Sequence, residues 1–265
     1  YGVFAVISPF NFPIALAGGM CAAALLTGNT VVFKPTSVAP FSGLKVYRAF
    51  VDGGVPAGAI NLVTGPGGPF GNVVAAHPDV DGIAFTGSKA VGMWLYRERA
   101  VRQPYPKPLI AEMGSKNPTI VTGEADLGKA VEGVVRAAFG YGGQKCSATS
   151  RLYVQDSVAD EFARRLVRRV EEVKVGDPRD RDVFYGPVID ERAKRTYEDA
   201  VRQAEEDGGS ILTGGKALTG GLFSRGHYLT PAVVTDLPEG HRLTRDELFV
   251  PFLILKKFTR LDEAL

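Results

Sequence analysis

Short apolar runs alternate along this chain with longer stretches whose apolar positions recur every three to four residues. In the first part of the chain the β-branched and aromatic runs over 2–7, 30–34, 60–63 and 82–85 predict strands. Between them the spacing predicts helices over 13–26, 41–53, 71–77 and 89–99. Continuous apolar strands joined by amphipathic helices are what a parallel sheet covered on both faces requires. The expectation is an open α/β sheet of Rossmann type, in which ligands meet the carboxyl ends of the strands. Further strands are predicted over 109–112 and 119–121, then a helix over 126–139 with Asp126 as its N-cap. The pattern then repeats, with strands over 151–154, 211–213, 232–235 and 252–258 and helices over 158–173 and 191–207. The Gly-, Ser-, Asn- and Pro-rich stretch 113–118 reads as a linker. We expect a dinucleotide-binding-type domain over 1–112 and a second α/β domain over 113–265.

Composition narrows the classes. With 45% apolar and 23% charged residues and a formal net charge of +2, the 265-residue chain is an ordinary globular protein and carries no nucleic-acid footprint. Arg164, Arg165, Arg168 and Arg169 lie on a helical pattern with Glu161, Glu171 and Glu172, so they read as a solvated, ion-paired face. The longest apolar stretch, 14–26, contains Gly18 and Gly19 and is too short to span a bilayer. Two cysteines, Cys21 and Cys146, offer no disulfide framework and suit a reducing compartment, which suggests the cytoplasm. His77, His227 and His241 lack ligand spacing, so no metal site is expected. No Gly-x-Ser-x-Gly elbow occurs, which disfavours a serine hydrolase. The first residue is not Met and the last ones read as the first turn of a helix, so the chain reads as a central piece of something longer.

Several residues sit where chemistry is done. Cys146 lies in Gly142-Gly143-Gln144-Lys145-Cys146-Ser147-Ala148-Thr149-Ser150, between a helix and a strand. It reads either as a small buried hydrophobe or as a nucleophile whose thiolate Lys145 favours. Cys21, among Met20, Ala22 and Ala23, reads as core. A thiolate adding to a carbonyl makes an oxyanion that wants preorganised donors. Asn11, on a turn stiffened by Pro9 and Pro13 where the first strand ends, is either such a donor or a residue satisfying its own turn. Glu112 ends an apolar strand, and we expect partial desolvation to tune it as a general base; the alternative is a rim residue in a salt bridge. Gly65-Pro66-Gly67-Gly68-Pro69-Phe70-Gly71 departs from the dinucleotide fingerprint in spacing, and its prolines remove two donors. Phe85-Thr86-Gly87-Ser88 is better placed to meet a pyrophosphate at a helix N-terminus, although Ser88 reads equally as a simple N-cap. Lys34 closes a buried strand and either bonds a ribose or phosphate or returns to solvent.

Taken in order, these segments resemble the aldehyde dehydrogenase superfamily. The matching stretches are Ser8-Pro9-Phe10-Asn11-Phe12-Pro13, Gly28-Asn29-Thr30-Val31-Val32-Phe33-Lys34-Pro35, Phe85-Thr86-Gly87-Ser88, Glu112-Met113-Gly114-Ser115-Lys116-Asn117-Pro118, Gly143-Gln144-Lys145-Cys146 and Asp246-Glu247-Leu248-Phe249. The resemblance implies that Cys146 is the nucleophile, that Asn11 and the Cys146 N–H form the oxyanion hole, and that Glu112 activates water to hydrolyse a thioester. It implies NAD or NADP as cofactor. Lys34 and Ser37 would lie at the adenine ribose, Gly87 and Ser88 at the pyrophosphate, and Glu247 and Phe249 at the nicotinamide riboside. Phe10 and Ser147 would lie on the substrate side.

Three departures stand out. Ser115 replaces a usual glycine, Val250 replaces the glycine of Phe-Gly-Pro, and Ser37 stands where an acidic residue often binds the ribose 2′-hydroxyl, which leaves NADP open. The run 139–148, with Lys174-Val175-Gly176-Asp177-Pro178, looks most like the 1-pyrroline-5-carboxylate (glutamate semialdehyde) dehydrogenase branch. In that branch Ser147 would meet a substrate carboxylate. Alternatives are a succinate or 2-oxoglutarate semialdehyde dehydrogenase, a CoA-acylating relative, against which Glu112 argues, and an inactive or structural fragment. The family also implies a homo-oligomer for the full-length protein.

Overall fold

The computed structural model describes residues 2–265, which divide after Gly114 into two compact units. In the first, β1 (Val3–Ile7), β2 (Thr30–Lys34), β3 (Ile60–Leu62), β4 (Gly82–Thr86) and β5 (Leu109–Glu112) form one parallel sheet in the order β3-β2-β1-β4-β5. The helices α1 (Ala15–Leu26), α2 (Pro40–Asp52), α3 (Gly67–Ala76) and α4 (Lys89–Arg102) make the crossovers. Alternation along β1 feeds two cores. Phe4 and Val6 pack with Ala17, Cys21 and Val46 on one face, while Ala5 packs with Val74, Ala75 and Leu95 on the other. This strand order is Rossmann-like and reverses direction between β1 and β4, the position where such sheets hold ligands. Register pairs Ile7 with both Lys34 and Phe85, and Thr86 with Glu112, so the carboxyl ends of the inner strands form one edge.

The third helix departs from expectation, starting at Gly67 rather than at 71. Pro69 falls in its first turn, where an N–H has no helical partner to lose, so the glycine-rich segment from Gly67 onward is helix. The far end of α3 is clasped by donors from α4 and beyond. Arg99 donates to the Val74 and Val80 carbonyls at 3.3 and 3.1 Å, Gln103 donates to Ala75 at 2.8 Å, and Lys107 donates to Pro78. Asp81 accepts from the Val3 N–H at 3.0 Å, a bond that lowers its carboxyl pKa and ties β1 to the start of β4.

The second unit holds β6 (Asn117–Val121), α5 (Leu127–Phe139), β7 (Thr149–Gln155), α6 (Asp156–Glu171), α7 (Glu191–Glu206), β8 (Ser210–Thr213), β9 (Ala232–Thr235), α8 (Arg242–Arg245) and β10 (Phe252–Phe258). Its sheet order is β6-β7-β10-β9-β8, parallel except for the β8–β9 pair. One core joins α5 and α6 to the sheet through Val135, Phe139, Phe162 and Leu152. The other joins α7 through Tyr197, Ala200, Val234 and Ile254. Asp126 caps α5 by accepting from the Lys129 N–H at 3.1 Å. On α6, Glu161 pairs with Arg164 and Arg165, and Arg169 reaches Glu132 of α5.

Candidate active site

In the first unit the carboxyl edge of the sheet carries Asn11, Lys34, the Gly87-Ser88 loop and Glu112. Asn11 is 5% exposed, and among the described residues its amide makes no hydrogen bond, so its donors are unspent. Lys34 is buried at the end of β2 and donates to the Pro35 carbonyl at 2.8 Å; burial pushes its pKa down. Ser88 does cap α4, its hydroxyl accepting from Val91 N–H at 3.4 Å, and the hydroxyl proton stays available. The Gly87 N–H donates to the Glu112 carbonyl at 3.1 Å, and a methyl group built on Gly87 would lie 2.6 Å from the Phe85 ring. Ser37 donates to the Gly65 carbonyl at 2.8 Å. Phe10 is half-buried. The expected desolvation of Glu112 is not found. Its side chain is exposed, because β5 is the edge strand and leaves alternate residues in the open.

In the second unit the chain leaves α5 through Tyr141, Gly142 and Gly143, all left-handed with φ of 61°, 63° and 70°. Gly143 has no alternative, since a methyl group there would sit 2.5 Å from the Val250 carbonyl oxygen. Gln144, buried, bolts the loop down. Its amide donates to Tyr141 O at 3.1 Å and accepts from Ile189 N–H at 3.0 Å. Residues 145–148 then form a turn closed by Ala148 N–H to Lys145 O at 3.0 Å, with Cys146 half-buried and Ser147 exposed at its tip. The Cys146 carbonyl accepts from Asn117 Nδ2 at 2.7 Å, while the Cys146 N–H donates to nothing among the described residues. Lys145 is no partner of the thiol. Its ammonium leans on the Arg136 carbonyl at 3.5 Å, where the open C-terminal end of α5 attracts a cation.

A cavity of about 20 Å³, room for one ordered water, lies beside this loop and is lined by Lys116, Lys145, Ser150, Glu247 and Phe249 among others. Glu247 accepts from the Ser115 N–H at 3.1 Å, and burial raises its carboxyl pKa against that bond and the nearby Lys116. Phe249 takes the left-handed conformation, φ 60°, while Val250 does not and packs into the α7 core; the extra side chain is thus accommodated. The Lys116 Nζ is buried with no hydrogen-bond partner among the described residues, and burial, with Arg151 adding to it, lowers its pKa to about 8. Neither Lys116 nor Asn117 stood out in the sequence, since both lie in the segment read as a linker.

The Lys116 shift has a measurable consequence. Between about pH 8 and its ordinary 10.5 the unfolded chain holds a proton that the folded one has released, so Lys116 contributes stability that rises with pH. Below about pH 8 both states are charged and the contribution is flat. Denaturant titrations from pH 7 to 10.5 should therefore show a steeper pH gain for the parent than for Lys116→Met. Parallel curves would refute the buried-lysine account.

A family model described as the aldehyde dehydrogenase family matches residues 1–265. A 1-pyrroline-5-carboxylate dehydrogenase from Geobacillus is 39% identical over 100% of this chain and 51% of its own length. An alpha-ketoglutaric semialdehyde dehydrogenase from Bacillus subtilis is 38% identical over 100% of this chain and 54% of its own. Among solved structures, a betaine aldehyde dehydrogenase from Staphylococcus aureus in complex with NAD+ superposes with a TM-score of 0.95 at 33% identity, covering 99% of this chain and 52% of that one. The chain spans about half the length of the curated relatives it matches.

Proposed function

The chain belongs to the aldehyde dehydrogenase family, and from that premise we propose that the full-length protein oxidises an aldehyde to a carboxylic acid with NAD+ or NADP+, Cys146 being its nucleophile. The observation that carries this reading is the Cys146 turn, which holds a half-buried cysteine whose N–H donates to nothing among the described residues. A dinucleotide fits the first unit on its own geometry. The strand order reverses between β1 and β4, Gly87 and Ser88 open α4 there, and β2 ends in a buried lysine that donates to the Pro35 carbonyl. Lys34 and Ser37 are assigned to the adenine ribose, Gly87 and Ser88 to the pyrophosphate, and Glu247 and Phe249 to the nicotinamide riboside. With no carboxylate at Ser37 to repel a 2′-phosphate, either dinucleotide is accommodated.

Chemically, the Cys146 thiolate adds to the aldehyde carbon and the Cys146 N–H is offered to the oxyanion; Asn11 is assigned as a further donor on the family resemblance alone. The dinucleotide, when bound, supplies the hydride acceptor, and Cys146 is left as a thioester. Glu112, exposed and so open to solvent water, takes a proton from the attacking water. Collapse then frees the thiolate and the acid. Phe10 is assigned to the substrate side, and the exposed Ser147 hydroxyl is offered to a substrate carboxylate.

The 39% identical relative favours glutamate 5-semialdehyde (1-pyrroline-5-carboxylate) as substrate, and the 38% identical one favours 2-oxoglutarate semialdehyde as the second reading. The full-length protein should reduce NAD+ or NADP+ in the presence of 1-pyrroline-5-carboxylate and release glutamate. Faster turnover of 2-oxoglutarate semialdehyde would transfer the assignment to the second reading, and turnover of neither would end both. Two free thiols suit a cytoplasmic setting. Exposed Ile14, Phe41, Tyr96 and Ile110 on the first unit suit assembly with further copies of the chain.

A further inference from the structure

The Cys146 turn is not held by its own backbone alone. Asn117 opens β6 at an irregularity: Asn117 pairs with Thr149 but Pro118 with Arg151, so Ser150 is passed over. Released from the regular ladder, the Asn117 side chain reaches the segment ahead of β7. Both protons of its amide are used, on the Cys146 carbonyl at 2.7 Å and on the Ala148 carbonyl at 3.1 Å. An amide works this way in only one of its two orientations; turned over, it would present its oxygen to two carbonyls. The two carbonyls, which can only accept, select the orientation, and the Ser115 hydroxyl completes it by donating to Asn117 Oδ1 at 2.8 Å. The Ser115 N–H in turn donates to Glu247 Oε1 at 3.1 Å. One continuous path of hydrogen bonds therefore runs Glu247–Ser115–Asn117–Cys146.

We propose that Ser115 and Asn117 are positioning residues that set the Cys146 turn and register it against Glu247. The proposal rests on the reading of Cys146 as nucleophile and deepens it. Ser115 is also where the family resemblance leads one to expect glycine, which has no hydroxyl to donate. The path is thus a property of this chain's own residues. Neither side chain touches a reacting atom; they act through the Cys146 and Ala148 peptide groups.

The test uses the full-length protein with Ser115→Ala, Ser115→Gly, Ser115→Thr and Asn117→Ala, and reads two quantities. The first is the rate of Cys146 alkylation by iodoacetamide against pH, followed by peptide mass spectrometry, which needs no substrate. The second is kcat and KM for aldehyde and dinucleotide. We expect Ser115→Ala and Ser115→Gly to change the alkylation rate or shift its pH midpoint. Both should lower kcat about five- to tenfold, the worth of one positioning hydrogen bond, with a smaller change in KM for aldehyde. Asn117→Ala should lower it further, and Ser115→Thr, which keeps the hydroxyl, should restore parental values. Parental alkylation and kcat in Ser115→Ala, or a threonine variant no better than alanine, would overturn the proposal. A protein that turns over no aldehyde refutes the functional reading alone, because the alkylation profiles still decide this one.

Discussion

Replacing Cys146 by alanine in the full-length protein should lower aldehyde-dependent dinucleotide reduction by at least about a thousandfold, the scale on which loss of a covalent nucleophile is felt. The substitution is a clean one. Cys146 sits half-buried on a turn, and its side chain belongs to none of the four hydrophobic cores, so deleting the sulfur leaves no cavity in any of them. Thermal unfolding should accordingly match the parent, and dinucleotide binding, assigned to other residues, should survive. Initial rates by absorbance, with the melting curve beside them, make the check. A mutant rate within tenfold of the parent would dismiss Cys146 as the nucleophile.

The second large effect falls three residues earlier. Gly143→Ala must place a methyl group 2.5 Å from the Val250 carbonyl oxygen and 2.8 Å from its carbon while holding a φ of 70°. Those atoms are backbone and cannot swing aside. The left-handed conformation alone costs about 1–2 kcal/mol for alanine, and with the clash the loss should reach about 3 kcal/mol. Activity should fall with it, because the same loop presents Cys146. Gly140→Ala is the control. There φ is −54° and, among the described residues, the methyl group meets only the flexible end of Lys145 at 3.2 Å, so stability should change little. Equal losses at the two positions would show that the loop is not pinned by Val250.

What could be read in the residues, and what could not, divides on range. The inner strands were legible because both faces are buried, which leaves an apolar run no other reading. The Asp126 and Ser88 caps were legible because a cap is a local event. The start of α3 was misplaced because glycine and proline punctuate turns, yet both also suit the first turn of a helix. Glu112 was expected to be partly desolvated, but its exposure depends on β5 lying at the edge of the sheet, and no local pattern distinguishes an edge strand from an inner one of this length. Lys145 was expected to serve the thiol, and it turns instead to a helix end nine residues back. Asn117 was invisible for the same reason. Its bonds span 29 and 31 residues and depend on one skipped pairing between β6 and β7.

Cys21 gives the molecule an internal clock. It is fully enclosed on the inner face of α1, and burial pushes its thiol up to about 12, so at neutral pH it neither meets nor attacks a thiol reagent. Within these residues a reagent applied to the native protein therefore counts Cys146 alone. A second equivalent can appear only when α1 lifts from the sheet, and its slow arrival times how often the first unit breathes.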